Sequence, residues 1–165
     1  MKRLLFLAPL ALVLLLPACT ADSASNSATP VANVADTDAS TDGTAITVYK
    51  SPTCGCCSAW VEHLEANDFT VQVVDMDNVN SVKEYYNISA ELSACHTAIV
   101  DGYAIEGHVP AEDIRRLLEE RPEAIGISVP GMPTGSPGME VEGRPADDYD
   151  VILVTDGGSS VFASH

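Results

Sequence analysis

The stretch Ser51–Trp60, SPTCGCCSAW, sets three cysteines, Cys54, Cys56 and Cys57, into four positions. Just before it, AITVYKS (Ala45–Ser51) alternates β-branched and polar residues with the period of a strand. Just after it, Cys57, Trp60, Val61 and Leu64 recur at i, i+3, i+4 and i+7, one face of a helix. The cysteines therefore fall where a strand hands over to a helix. Cys54 and Cys57 have CxxC spacing, and a helix N-terminus there stabilises thiolate, drawing a cysteine below its free pKa of about 8.5. A bond within so short a loop braces little of the chain, which makes a purely structural disulfide a weak reading.

Working outward, FTVQVVD (Phe69–Asp75) reads as a second strand. NVNSVKEYYN reads as a short helix capped by Asn78 or Asn80. HTAIVDGYAIEGH holds two apolar runs around Asp101-Gly102, a strong hairpin signal. In VPAEDIRRLLEERP, Pro110 suits a first helical turn, Ile114, Leu117 and Leu118 share a face, and Pro122 ends the helix. A Gly/Pro-rich loop, VPGMPTGSPGMEVEGRP, precedes DYDVILVTDGGSSVFA, which reads as a terminal hairpin turning at Asp156-Gly157-Gly158. The order is β–α–β–α–β–β–α with a cysteine motif where the first strand meets the first helix. The expected fold is α/β, a thioredoxin-like sheet with flanking helices and an added C-terminal hairpin.

Two features depart from simple dithiol exchange. Cys56 is a third thiol inside the redox pair and invites mispairing. In ordinary thioredoxins a cis-proline opens the strand after the second helix and packs on the CxxC; the corresponding place here reads Ala94-Cys95-His96-Thr97. The plan thus delivers a fourth thiol, Cys95, to the same spot. Four thiolates are a soft ligand set, which selects Cu(I), zinc or an iron–sulfur centre over hard cations. Zinc sites usually show two separate CxxC knuckles, and iron–sulfur clusters take wider spacings. Adjacent Cys56 and Cys57 suit thiolates that bridge several Cu(I) ions.

His96 joins Cys95 only if the strand has not yet begun, since adjacent strand side chains point to opposite faces. His108 stands before Pro110, as a ligand or as a turn residue. Met132 and Met139, in the Gly/Pro-rich loop, offer thioethers that bind Cu(I) and cannot form disulfides, or apolar anchors for the loop. His63, between Glu62 and Glu65, is expected on a solvated face and His165 at a frayed end; Trp60 and Met76 are expected in the core.

From VYKSPTCGCCSAW through SACHTAIVDGYAIEGHVPAEDI to VPGMPTGSPGME and YDVILV, the chain resembles the CopG-type family of exported bacterial copper-resistance proteins. The resemblance covers essentially all of residues 45–162. It implies a thioredoxin-like fold and Cu(I), as one ion or several, held by Cys54, Cys56, Cys57 and Cys95, with His96, His108, Met132 and Met139 as further candidate ligands. Clustered thiolates favour Cu(I), whereas imidazoles accept Cu(I) and Cu(II), so redox interconversion is part of that expectation. A periplasmic copper-handling protein is the partner it implies. The alternative class is a thiol–disulfide oxidoreductase working through Cys54 and Cys57. Whether the chain is an enzyme or a carrier stays open at this level.

The N-terminus, MKRLLFLAPLALVLLLPACTADS, pairs a short basic region with an apolar run, Leu4–Leu16, as a secretory signal peptide does. Leu16-Pro17-Ala18-Cys19 resembles a bacterial lipobox, so residues 1–18 are expected to be removed and Cys19 to carry lipid. Residues 19–44 are rich in Ser, Thr, Ala and Asp and contain neither basic nor aromatic residues, the composition of a flexible tether. Residues 45–165 are left as one metal-binding domain. The expected location is exported and membrane-anchored, facing the periplasm; Thr20 after the cysteine points to the outer membrane in a Gram-negative source. The net charge of −16, which loss of Lys2 and Arg3 would take to −18, excludes nucleic acid as a partner.

Overall fold

The computed structural model describes residues 43–165. Cys19, the expected signal peptide and nearly all of the expected tether lie outside the described residues. The chain runs β1 (Thr44–Lys50), α1 (Gly55–Glu65), β2 (Phe69–Asp75), α2 (Asn80–Tyr85), β3 (Thr97–Val100), β4 (Tyr103–Glu106), α3 (Ala111–Glu120), β5 (Gly126–Ser128), β6 (Asp150–Thr155) and β7 (Gly158–Ser164). Among these residues no helix is long and apolar enough to cross a membrane.

The strands form one sheet in the order β2-β1-β3-β4-β5-β6-β7. β1 and β2 are parallel, joined by α1 as a crossover, and β3 is antiparallel to both β1 and β4. That arrangement is the thioredoxin core, and the β6–β7 hairpin extends it as expected. The expected pattern contained no β5. Its three residues, Gly-Ile-Ser, are too few to show a period, and pairing with β4 on one side and β6 on the other creates the strand. Gly126 is required there: a Cβ would lie 1.7 Å from the Ala104 carbonyl oxygen.

The register assigns the faces. Ala98 opposes Ile105, and both lie in a core with Trp60, Val61 and Leu64 of α1 and Ile114 and Leu117 of α3. The adjacent pair, Thr97 opposite Glu106, must point the other way. Lys83 of α2 meets both of them there. α1 and α3 therefore cover one face and α2 the other, so the segment between α2 and β3 is held from both sides.

Three placements differ from the sequence reading. His63 is half-buried rather than on a solvated face, because α3 packs beside α1 and the Ala111 N–H donates to His63 Nε2 at 3.2 Å. His165 is not frayed: its backbone exchanges two hydrogen bonds with Tyr149, and Nε2 meets Asp113 Oδ2 at 2.7 Å. Met76 is only half-buried, whereas Trp60 is fully enclosed.

Candidate metal centre

Cys54 caps α1 from an extended backbone, and its Sγ accepts from the Cys57 N–H at 3.4 Å. Helical pitch then places Cys57 one turn on, fully buried, with Cys56 half-exposed beside it. Cys54 and Cys57 are joined as a disulfide, their Cα atoms 5.4 Å apart, while Cys56 and Cys95 are free thiols. Each free thiol abuts one end of that bond. Cys56 Sγ is 3.5 Å from Cys54 Sγ, and Cys95 Sγ is 3.5 Å from Cys57 Sγ. All four sulfurs lie within 4.8 Å of one another.

The CH pair stands just before β3, which begins at Thr97. The strand alternation therefore does not yet apply, and His96 Nδ1 comes to 3.3 Å from Cys95 Sγ. His108 Nε2 approaches the same sulfur at 3.2 Å, so Cys95, His96 and His108 form a second group within 4.8 Å that shares Cys95 with the first. The His108 Nδ1–H donates to the Pro137 carbonyl at 2.8 Å. That bond fixes the tautomer and leaves the Nε2 lone pair aimed at the cluster, the arrangement a ligating histidine needs. His96 is enclosed, its ring 4.4 Å from the Trp60 ring, and its Nε2 has no hydrogen-bond partner among the described residues.

Burial governs the protonation states. It drives His96 down to about 3, with neighbouring His108 and Lys83 adding to the effect, so the imidazole is neutral across ordinary pH. Burial lowers His108 as well, opposed by the Pro137 hydrogen bond and by Glu140. Burial, with Cys56 close by, pushes the Cys95 thiol up to about 12. In this enclosed setting a soft metal ion would take the place of the Cys95 proton, which matches the donor set of thiolates and neutral imidazoles.

The loop carrying the methionines is docked on this site. Gly138, at φ +80°, lies so close to α1 that a Cβ would stand 2.7 Å from the Trp60 nitrogen and 3.0 Å from the Cys56 oxygen. Met139 follows it, half-buried; Met132 is 54% exposed.

The sequence reading missed the device that holds Cys95. Glu106, fully buried, accepts the Ala94 N–H through Oε1 at 2.6 Å and the Thr97 hydroxyl through Oε2 at 2.7 Å. Lys83, also buried, pairs with Glu106 and donates to Thr97 Oγ1 at 2.9 Å. The next residue, Gly107, donates its N–H to the His96 carbonyl at 3.2 Å, and the one after is His108. Three consecutive residues thus grip the segment from Ala94 to Thr97. The available signal was a carboxylate inside the apolar run YAIEGH.

Two solved structures, forms 2 and 1 of a protein named copper resistance protein CopG, share 43% sequence identity with this chain. They superpose with TM-scores of 0.71 and 0.70, covering 75% of this chain and 99% and 98% of theirs. The chain belongs to the CopG family. A family model described as "Protein of unknown function, DUF411" matches residues 92–139, the span holding Cys95, His96, His108 and the methionine loop. No curated protein matches the chain significantly. Within this CopG-family chain, the first cysteine block therefore lies outside the DUF411 match and reaches the rest of the site only through the fold.

Proposed function

We propose that this protein binds copper as Cu(I), as one ion or several, through Cys54, Cys56, Cys57 and Cys95 in their reduced state, for copper resistance or homeostasis. One observation carries the reading: four cysteine sulfurs from two separate parts of the chain converge within 4.8 Å. The copper-resistance name of the solved relatives supports the choice of metal. His96 and His108 complete the ligand set on the Cys95 side, and the thioethers of Met139 and Met132 are further candidates on the adjoining loop. The protein acts outside the cytoplasm, anchored by lipid at Cys19 and facing the periplasm, where a copper-handling protein is its exchange partner.

The test is metal analysis of protein reduced and purified without oxygen, alongside Cys56→Ser. In a thiolate cluster one bridging sulfur makes several bonds, so this change should impair copper binding as severely as Cys54→Ser or Cys57→Ser. Full copper loading of the Cys56 variant would remove the cluster. A second reading, thiol–disulfide oxidoreductase, is favoured by the Cys54–Cys57 bond itself. It requires disulfide reductase activity in protein that holds well under one copper per chain.

A further inference from the structure

Among the described residues the chain has two lysines, and both are buried. A lysine is almost never enclosed unless it is paired. Lys83 meets its carboxylate, Glu106, deep inside, so the two charges cancel where they stand. Lys50 is different. Its ammonium lies 3.0 Å from Asp75 Oδ1, and that side chain is 53% exposed. Water screens the Asp75 charge from outside, so the positive end of the pair keeps its reach inward. Lys50 ends β1 on the face that carries Ile46 and Val48, the face that α1 covers. Antiparallel pairing of β1 with β3 runs to Tyr49 opposite Thr97, which brings the next residues, Lys50 and His96, level with each other. Lys50 is also tied to the first cysteine. Its Nζ donates to the Ser51 carbonyl at 3.3 Å, and the same carbonyl accepts the Cys54 N–H at 3.1 Å.

We propose that Lys50 is a positioning residue of the copper site, holding the turn from Ser51 to Cys54 and supplying the positive charge that offsets an excess of thiolates over cuprous ions. This rests on the copper reading above and adds the residue that balances its charge. Each thiolate carries one negative charge and each Cu(I) one positive charge. Four thiolates around fewer than four cuprous ions therefore leave a net negative centre. Cys57, His96 and His108 are fully enclosed, so water reaches that side of the centre poorly. An uncompensated charge in such a place is costly. The Lys50 ammonium offsets it, whereas the ammonium of Lys83 is already matched by Glu106. Both ends of Lys50 are fixed, the carbonyl by the Met76 N–H at 2.9 Å and the ammonium by Asp75. The charge is thus placed before metal arrives.

The experiment uses the full chain, reduced and kept without oxygen, with cuprous ion supplied directly and bicinchoninate as the competitor. Lys50→Met keeps the length of the side chain and strands no buried charge, since Asp75 is exposed. Its affinity for Cu(I) should fall by about 10-fold or more, the usual cost of removing a partner behind the ligands. Asp75→Asn separates charge from bracing. It unties the ammonium yet leaves the positive charge, now without its counter-charge, beside the thiolates. Affinity in this variant should equal or exceed the parent's, with urea midpoints confirming that both variants are folded. A purely structural tie predicts a loss in Asp75→Asn alongside that in Lys50→Met, and that result overturns the assignment. A folded Lys50→Met variant with the parent's affinity overturns it too. Should Lys50→Met fail to fold, the direction of the change in Asp75→Asn decides alone. In each of these cases a parent that binds cuprous ion leaves the copper reading standing. A parent that retains none sinks both.

Discussion

The backbone carbonyl of Pro137 accepts a hydrogen bond from His108 Nδ1 at 2.8 Å and so decides which nitrogen of His108 faces Cys95. The carbonyl is held in place because Gly138 packs against α1 at φ +80° with no room for a side chain. Gly138→Ala adds both a backbone strain and a clash with the Trp60 nitrogen, and lifts the loop off the helix. The expected outcome is a copper affinity lower by about 10–100-fold, the usual cost of losing a partner behind a ligand. Competition with a chromophoric Cu(I) chelator measures it; unchanged affinity would mean that His108 is not held as a ligand through this bond.

Lys83 and Glu106 form a buried ion pair behind the Cys95 segment. Lys83→Met leaves the carboxylate without its counter-charge, at a cost of about 3–5 kcal/mol. Lys83→Met/Glu106→Gln removes both charges and should recover most of that stability, because no buried charge is stranded. The double variant still loses part of the grip on Ala94 and Thr97. Urea unfolding reads the first effect, and alkylation of Cys95 in copper-loaded protein reads the second. Cys95 should become labelled in the double variant while the parent stays protected.

The hydrogen bond from Ala111 N–H to His63 Nε2 exists only with that nitrogen unprotonated. Burial holds His63 below its ordinary 6.5, with Glu140 and Glu112 drawing it partly back. Below pH 6.5 the unfolded chain therefore takes up a proton at His63 more readily than the folded one, and stability falls as pH drops through that window. In His63→Gln the side-chain amide oxygen accepts the same N–H without titrating. Its loss of stability between about pH 6.5 and 5 should be smaller than the parent's, as read from denaturant midpoints. Parallel curves would show that the contact does not respond to pH.

Cys19→Ser tests the proposed membrane attachment independently of the cysteine site. The tether proposed from composition would, as a random coil, have an average reach of roughly 25–30 Å, enough to hold the domain clear of a lipid surface; its last expected residue, Thr44, instead opens β1. The variant should appear in the soluble fraction or accumulate unprocessed, with copper binding by the domain unchanged. Parent protein recovered as a soluble mature chain with an unmodified Cys19 would rule out the anchor.

Sequence alone determined what depends on short separations. The strand period before Ser51, the i, i+3, i+4, i+7 face after Cys57 and the Asp101-Gly102 turn each arise within a few residues, and together they specify the thioredoxin order. CxxC spacing likewise places Cys54 and Cys57 on one turn, since helical pitch is local. Only the tertiary structure decided what depends on sheet register and on loops returning from afar. His96 reaches Cys95 because β3 starts one residue later, at Thr97. Glu106 grips Ala94 because its strand pairs Thr97 with Glu106 and turns that pair toward Lys83. The His108 tautomer rests on Pro137, 29 residues away, brought back by a glycine that fits against α1. β5 exists because two neighbours offer it hydrogen bonds, and its own three residues carry no pattern strong enough to announce it.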